Sequence, residues 1–413
     1  MELLKHIGTK YDKYNIVFYI VTACLVTYSF LPSYRSTIDL PQIAVIDMIY
    51  GFLFLPGFIS HLKRVATPII IYAITYFLVA LPGNVKLGLV HPFMTLFICV
   101  FPLMMAAGIL KRNNSKDLTL TYFISIYFLF VIIISTIEAI QVDSSVMRYL
   151  TSSHQDTTYE DELIRNNVGG FAIAYGVGGL FIVLVGCFRT FKLKYSYKLI
   201  CLVLIAVCGY LVALAQFTTL LILVLTILGY QIWITTKSVF SKILVVIVGI
   251  TLLLYSEDIM LWLIKLYEGN ATSQHLKELY DVLFEEQEYN YSRRGLLSDA
   301  IDLFATSPIW GCNMTNPNNL LIANSSHSTI LGIACKTGII GLISFILAYW
   351  YAFKPIFNYF EKKVRKQVLV PMVIFFIVLS YINPTDSDVF NYTFGFLATM
   401  TLLIIANKNG LKQ

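Results

Sequence analysis

Long apolar stretches separated by short polar ones run along the whole chain. Most are close to 20 residues long, the length that a helix needs to cross the roughly 30 Å hydrocarbon core of a bilayer. The pattern predicts an all-α polytopic membrane protein. The twelve predicted spans cover residues 15–33, 40–60, 67–82, 89–110, 118–140, 169–187, 199–216, 217–235, 243–262, 327–353, 368–383 and 392–407.

The apolar run between Lys198 and Lys237 contains two of these spans. A single helix over residues 199–235 would be about 55 Å long, far more than one crossing requires. The polar sequence AQFTT, from Ala215 to Thr219, is the expected point of reversal.

Positive charge divides the loops into two sets. Of the 30 lysines and arginines, 21 fall in alternate loops and in the two termini. Such residues concentrate on the cytoplasmic side of membrane proteins, so both termini are expected in the cytoplasm. The net charge of +6 then reflects membrane anchoring and gives no reason to expect a nucleic acid partner.

Composition agrees with a membrane protein, since 57% of the residues are hydrophobic and only 13% are charged. The first apolar run is expected to be a full span rather than a cleaved signal peptide. Six of the seven cysteines fall in apolar runs, and no disulfide framework or metal-ligand spacing is present. The cysteines are therefore expected to be small apolar side chains.

Residues 1–413 are expected to form a single membrane domain with two sizeable outer loops, 141–168 and 263–326. Loops of this length usually carry function. Within the larger one, residues 273–287 have the spacing of an amphipathic helix lying on the membrane or on the protein. Its apolar positions are Leu276, Leu279, Tyr280 and Leu283.

A second helix is predicted in this loop, with Ser292 as its N-cap and Ser307–Pro308 at its end. Arg293 and Arg294 would occupy its first turn, where the helix dipole disfavours cations but favours a bound anion such as phosphate. The alternative is pairing with the nearby glutamates Glu285, Glu286 and Glu288. The predicted apolar face consists of Leu297, Ala300, Ile301 and Phe304.

His327 stands at the start of the tenth predicted span. A helix N-terminus disfavours the protonated imidazole, which would leave a neutral histidine able to accept a proton. The alternative is a polar cap at the membrane interface beside Ser325, Ser326 and Ser328.

These elements occur in a recognisable order: Arg293, the SPIWG turn with Pro308 fifteen residues later, His327, and KTGIIGL from Lys336 to Leu342. The order resembles the core signature of the O-antigen ligase and polymerase superfamily, most closely its bacterial O-antigen and capsular polysaccharide polymerases. The motif covers residues 293–342, and the topology is similar over the whole chain. Two departures are that His327 is followed by Ser328 rather than asparagine, and that Lys336 stands where relatives often carry an acid.

The resemblance implies a metal-independent, cofactor-free glycosyltransferase of the GT-C type in the bacterial cytoplasmic (inner) membrane. Its partners would be a glycan carried on undecaprenyl diphosphate, the membrane lipid and, as a further candidate, a chain-length regulator protein. His327 would accept a proton from the acceptor hydroxyl, and Arg293 would stabilise the leaving diphosphate. Relatives often carry a second arginine where this chain has Gln216, so Arg294 or Arg165 is expected to supply that charge.

Four further residues are candidates, three of them with more than one interpretation. Lys336 would hold the lipid phosphate or pair with a buried acid, Asp47 or Glu138, since a lysine inside a span needs a wet cavity or an anion. Asp386 and Asp388 would bind a metal ion or the acceptor hydroxyls, or would be solvated acids of a turn. Gln216 would bind the acceptor.

The expected function is polymerisation of lipid-linked repeat units of an O antigen or capsule. The first alternative is an O-antigen ligase that transfers glycan to lipid A core, the acceptor in lipopolysaccharide assembly. The second is a flippase for lipid-linked oligosaccharides. The single large outer loop and the lack of repeats between the two halves argue against a transporter.

Overall fold

The computed structural model describes residues 2–80, 90–112, 114–143, 146–149, 157–215, 217–266, 293–312, 314, 316–325 and 327–408, with a few single positions between 268 and 281. Within these residues the protein is all-helical and contains no strand. Apolar side chains that point outward from the helices cover much of its surface, as expected for a membrane-embedded protein.

Eighteen helices are defined in the described part of the chain. In chain order they are α1 Glu2–Phe30, α2 Pro32–Arg35, α3 Leu40–Phe54, α4 Phe58–Ala80, α5 Val90–Arg112, α6 Ser115–Val142, α7 Val146–Tyr149, α8 Thr157–Arg165, α9 Phe171–Thr190, α10 Tyr195–Leu214, α11 Thr218–Thr235, α12 Val239–Leu254, α13 Ser256–Leu266, α14 Arg293–Thr306, α15 Pro317–Ser325, α16 Thr329–Tyr359, α17 Lys362–Ile382 and α18 Asp388–Asn407.

Nine helices in the described part of the chain are long and apolar enough to cross a membrane. They are α4, α5, α6, α9, α10, α11, α16, α17 and α18. The apolar part of α1, Ile16–Phe30, and the whole of α3 are shorter than a full span. The predicted reversal at AQFTT is confirmed, because α10 ends at Leu214 and α11 begins at Thr218.

Two predicted spans were wrong in detail. The second, 40–60, runs through a turn, because α3 ends at Phe54 and Gly57 takes a left-handed conformation (φ 70°) before α4 begins. The ninth, 243–262, is a bent pair: Lys242–Thr251 and Ser256–Leu266 meet at 71°. The first break coincides with Pro56–Gly57 and the second with the polar residues Ser256, Glu257 and Asp258, which are local turn signals that hydropathy averaged over a whole span does not register.

The core of the bundle lies around α5, α9 and α18, whose residues are mostly buried. Small residues allow these helices to pack closely. A Cβ atom at Gly176 of α9 would collide with Thr393 of α18, and one at Gly179 would collide with Phe394. Close backbone approach through small residues is typical of helix packing in membranes.

Polar contacts join the helix ends that the charge pattern assigns to the outer side. Arg35 forms an ion pair with Asp388, with the nitrogen and oxygen 2.6 Å apart. The hydroxyl of Ser33 donates to the side-chain oxygen of Asn167 at 2.6 Å. Three loops predicted to lie on one side of the membrane are therefore in direct contact.

The helix ends assigned to the other side are joined in the same way. Lys363 donates to the carbonyl oxygen of Thr190 at 3.2 Å, which connects the start of α17 to the end of α9. Arg189 donates to the hydroxyl of Thr235 at 2.6 Å, which connects α9 to α11. The two sets of loops thus occupy opposite ends of the bundle.

Candidate functional site

The SPIWG turn is inserted into a break in α16. In a regular helix the N–H of Ile339 would bind the carbonyl of Cys335, four residues earlier. Here the N–H of Ile339 donates to the carbonyl oxygen of Pro308 at 2.8 Å. The carbonyl oxygen of Cys335 accepts instead from the N–H of Cys312 at 2.7 Å. The turn thus replaces one helical hydrogen bond with two tertiary ones.

This exchange requires two glycines. Gly338 has φ 62° and ψ −166°, a conformation that is essentially restricted to glycine. A Cβ atom there would collide with the backbone carbonyl of Ile309. Gly311, with φ 90°, lies against the backbone of Lys336, and a Cβ atom there would come within 2.7 Å of the Lys336 carbonyl oxygen. The PxxG and KTG parts of the sequence signature are therefore one structural unit.

Helix α14 packs on this unit with a short apolar face. Ala300 and Leu303 are buried, and their carbonyl oxygens accept hydrogen bonds from the thiols of Cys335 and Cys312 at 3.1 and 2.9 Å. The predicted end of the helix before Ser307–Pro308 is confirmed. The predicted face was wrong at Ile301, which is exposed, because Leu303 takes the buried position beside Ala300.

The start of α16 is capped by Ser328, whose hydroxyl accepts from the N–H of Leu331 at 3.1 Å. His327 precedes the cap, so it lies just outside the helix rather than in its first turn. Its φ is 49°, and Asn167 is the other non-glycine residue with a positive φ in the described part of the chain. A histidine held in this conformation is a backbone outlier of the kind that clusters at functional sites.

His327 is exposed at the rim of a cavity of about 340 Å³ between α4, α5, the first turns of α16 and the loop before α18. The predicted site residues Lys336 and Asp386 line the same cavity. A volume of this size lies at the lower end of the range for small-molecule pockets. The remaining lining residues are Tyr72, Tyr76, His91, Pro92, Thr95, Leu96, Cys99, Ala323, Asn324, Ser328, Thr329, Gly332, Ile333, Phe345 and Pro384.

Lys336 lines the cavity two turns into α16, about 10 Å along the helix axis from Thr329. It is half-buried, and no carboxylate of the described residues lies within ion-pair distance of its ammonium group. The acid that interacts electrostatically with Lys336 is Asp386, not Asp47 or Glu138. Asp47 is instead fully buried beside Tyr392, whose hydroxyl donates to it at 3.5 Å. The expected pairing of Lys336 with Asp47 or Glu138 was therefore wrong.

The loop that carries Asp386 is fixed by hydrogen bonds on both sides. The N–H of Thr385 donates to the hydroxyl of Thr329 at 2.7 Å, which ties the loop to the start of α16. The side-chain amide of Asn391 donates to the carbonyl oxygens of Thr385 and Ser387 at 3.1 and 2.7 Å. Asn391 begins a π-helical segment of α18, a feature that is frequent at functional sites.

Asp386 and Asp388 have different surroundings. Asp386 is exposed to the cavity, and its carboxylate accepts a long hydrogen bond of 3.4 Å from Thr329. Asp388 is buried, pairs with Arg35 and accepts a hydrogen bond from the N–H of Val389 at 2.8 Å. Asp388 does not line the cavity, so the two acids do not form one binding pair. The interpretation as a solvated turn acid is wrong for the buried Asp388 but agrees with Asp386, which is exposed in a loop.

Of the three arginine candidates, the structure describes the side chain of Arg165 alone. Arg165 is exposed at the end of α8 and does not line the cavity. Arg293 and Arg294 are the first residues of α14, as predicted, but their side chains lie outside the described residues. The same is true of Gln216, of Ser292 and of most of the predicted amphipathic helix 273–287.

Sequence reasoning missed three cavity residues. His91 is the second residue of α5, and Tyr72 and Tyr76 lie one turn apart on α4. The available signals were weak: a histidine at the start of a span, and two tyrosines at helical spacing in YAITY. Among the described residues, no group of three or more histidines, cysteines and acids is arranged to hold a metal ion.

Comparison with known proteins adds no family assignment. The chain matches no protein-family model, and no curated protein matches it.

Proposed function

We propose that the protein is a membrane glycosyltransferase that polymerises oligosaccharide repeat units carried on undecaprenyl diphosphate. The observation that carries this proposal is a lysine in a cavity whose rim holds a histidine and an aspartate, with no carboxylate of the described residues within ion-pair distance of its ammonium group. A charge at membrane depth is costly, so such a lysine is expected to serve an anion that enters the cavity.

The chemistry assigned to the residues follows from their positions and from the resemblance. The donor diphosphate rests against Lys336 and is neutralised further by Arg293, whose helix is packed on α16 through Ala300 and Cys335. His327 at the rim accepts the proton of the acceptor hydroxyl, and that oxygen attacks the anomeric carbon. The bond from this carbon to the diphosphate oxygen breaks, the configuration inverts, and the diphosphate leaves with the bonding electrons.

Asp386 is suited to bind a hydroxyl group of the acceptor sugar. Its carboxylate is free to accept further hydrogen bonds, and its loop is held in place by Thr329 and Asn391. A group fixed in this way loses little conformational entropy on binding, which favours precise positioning of the acceptor.

The proposed architecture is a GT-C-type bundle of twelve crossings in the bacterial cytoplasmic membrane, with both termini in the cytoplasm. It counts α1, α3 and the bent pair of α12 and α13 as crossings in addition to the nine long helices. The distribution of basic residues and the contacts between loops of the same set support this arrangement.

An O-antigen ligase that uses lipid A core as its acceptor is the second candidate within the same chemistry. A flippase for lipid-linked oligosaccharides is the candidate from another class. The glycine-dependent insertion of the SPIWG turn into α16 favours an enzyme, because it fixes the cavity residues in one conformation, whereas alternating access requires the walls of a binding site to move.

The test is transfer by the purified protein in detergent. The protein is given lipid-diphosphate-linked repeat units in the presence of EDTA, and the products are separated on a gel. A ladder of oligomers supports the polymerase, whereas transfer to lipid A core alone supports the ligase. If no transfer occurs and the protein moves fluorescent lipid-linked glycan across liposome membranes, the result favours a flippase and contradicts the enzyme.

A further inference from the structure

Two tyrosines form an aromatic wall of the cavity. Tyr72 and Tyr76 lie four residues apart on α4, so their side chains leave the same face of the helix. Their ring centroids are 6.4 Å apart, and the rings are inclined by 42°. Both side chains line the cavity that contains Lys336 and Asp386.

The hydroxyl groups of these tyrosines are unpaired among the described residues. Tyr72 is only 9% exposed, yet its hydroxyl forms no hydrogen bond with any described residue, and neither does that of Tyr76. Neither hydroxyl oxygen is fully buried, so both are open to the cavity that the two side chains line. The cavity therefore presents unused donors next to an apolar aromatic surface.

The charged groups around this wall define what it could bind. Tyr72 interacts electrostatically with Asp386, and Asp386 in turn with Lys336. A pyranose ring offers an apolar C–H face and a rim of hydroxyl groups, and a sugar phosphate adds an anion at one end. The C–H face of the sugar matches the tyrosine rings. Its hydroxyl groups match the tyrosine and Asp386 oxygens, and the phosphate matches the ammonium group of Lys336.

We infer that Tyr72 and Tyr76 form a sugar subsite, and that the cavity takes a pyranosyl phosphate with its ring on the tyrosines and its phosphate at Lys336. This inference rests on the proposed function, because it identifies the sugar next to the phosphate of the lipid-linked donor as the ligand of this wall. A bare phosphate or a phospholipid headgroup would use Lys336 but not the tyrosines.

Binding is measured by calorimetry on the purified full-length protein, without any transfer reaction. The sugar probes are the 1-phosphates of glucose, galactose and N-acetylglucosamine. Inorganic phosphate and glycerol 3-phosphate represent the free anion and the lipid headgroup. At least one sugar phosphate is expected to bind at least about tenfold more tightly than phosphate or glycerol 3-phosphate, as one or two added hydrogen bonds would produce.

Two variants and one matched control test whether this difference in affinity depends on Tyr72 and Tyr76. Tyr72→Phe removes only the hydroxyl and is expected to weaken sugar phosphate binding roughly 5- to 10-fold, with phosphate binding unchanged. Tyr76→Leu is expected to weaken it by a similar factor, because it removes the aromatic surface. Tyr122→Phe is the control, since Tyr122 is equally buried, at 9% exposure, on α6 and away from the cavity.

Two results would overturn the sugar subsite. One is that all three sugar phosphates bind no more tightly than phosphate or glycerol 3-phosphate. The other is that Tyr72→Phe and Tyr76→Leu, eluting as folded protein, bind sugar phosphate like the wild type. A failed transfer assay would not produce either result, so loss of the polymerase proposal and loss of the subsite are distinguishable.

Discussion

Ile339 donates its backbone N–H to the carbonyl oxygen of Pro308 at 2.8 Å, instead of to Cys335 in its own helix. This single bond ties the outer SPIWG turn to the part of α16 that directs Lys336 into the cavity. The cavity is therefore formed by segments that are far apart in sequence, and its geometry depends on the backbone as much as on the side chains.

Gly338→Ala is expected to destabilise the protein by at least about 2 kcal/mol. The conformation of Gly338 costs about 1–3 kcal/mol for other residues, and the added Cβ collides with a backbone carbonyl that has no freedom to move away. The midpoint of thermal unfolding should fall by about 4 °C or more. Gly229→Ala in α11, where a Cβ would meet nothing within 4 Å, is the control and should be neutral. Equal midpoints of thermal unfolding for the two variants would contradict the insertion of the SPIWG turn into α16 at Gly338.

Arg35→Ala is expected to destabilise the outer loops, because it leaves the buried carboxylate of Asp388 without its cation. Asp388→Asn in the same chain should recover part of the loss, since asparagine keeps the acceptor for the N–H of Val389. The coupling energy from this double-mutant cycle should be about 0.5–3 kcal/mol, measured by thermal unfolding. Strictly additive effects would show that the ion pair does not hold the loop.

His327→Asn is expected to fold normally and to lose transfer by about 10²–10⁴-fold. Asparagine tolerates the left-handed backbone at this position but is no proton acceptor at neutral pH. His91→Asn provides the comparison, since His91 lines the same cavity. Initial rates of ladder formation decide between them. If His91→Asn loses transfer and His327→Asn keeps it, the proton acceptor is His91.

Lys336→Met is expected to weaken binding of the donor without lowering the stability of the protein. Methionine has a similar length and no charge, so removing the ammonium group from membrane depth should leave the thermal midpoint equal or higher. The KM for the lipid diphosphate donor should rise roughly 10- to 100-fold, the value of a lost charge-assisted hydrogen bond. An unchanged KM would exclude Lys336 from the diphosphate site.

Arg293→Lys is expected to reduce transfer by at least about tenfold, because an ammonium group cannot reproduce the forked contact of a guanidinium with phosphate oxygens. Arg165→Lys should leave the rate unchanged, since Arg165 is exposed and does not line the cavity. Rates of transfer at saturating acceptor compare the two. The reverse order of effects would move the diphosphate contact to Arg165.

Hydropathy predicted the helices well and their breaks poorly. The reversal between α10 and α11 was found because a helix of that length would not fit a membrane. The turn at Gly57 and the bend between α12 and α13 were missed, because hydropathy over a whole span averages out short interruptions such as Pro56–Gly57 and the polar residues that begin at Ser256. The break at Gly338 was also missed, because it depends on hydrogen bonds from a turn that is distant in sequence.

The cavity could be predicted only in part. His327 and Lys336 were found because a polar residue near an apolar span is costly, and the structure brings both to one cavity with Asp386. The different surroundings of Asp386 and Asp388 were not predictable, because they depend on Arg35 and Thr329 from other helices. Tyr72 and Tyr76 carry no distinguishing sequence signal, since tyrosines are common throughout membrane helices.

Photocrosslinking of the donor tests the central claim most directly. A lipid-diphosphate-linked repeat unit with a diazirine on its first sugar is bound to the purified protein, irradiated, and mapped by peptide mass spectrometry. We expect crosslinks within residues 72–76, 323–336 and 384–386. They should decrease when unlabelled donor is added and should be absent in Lys336→Met. Crosslinks confined to the outer surfaces of α12 and α13, or unchanged in Lys336→Met, would contradict the assignment of this cavity as the donor site.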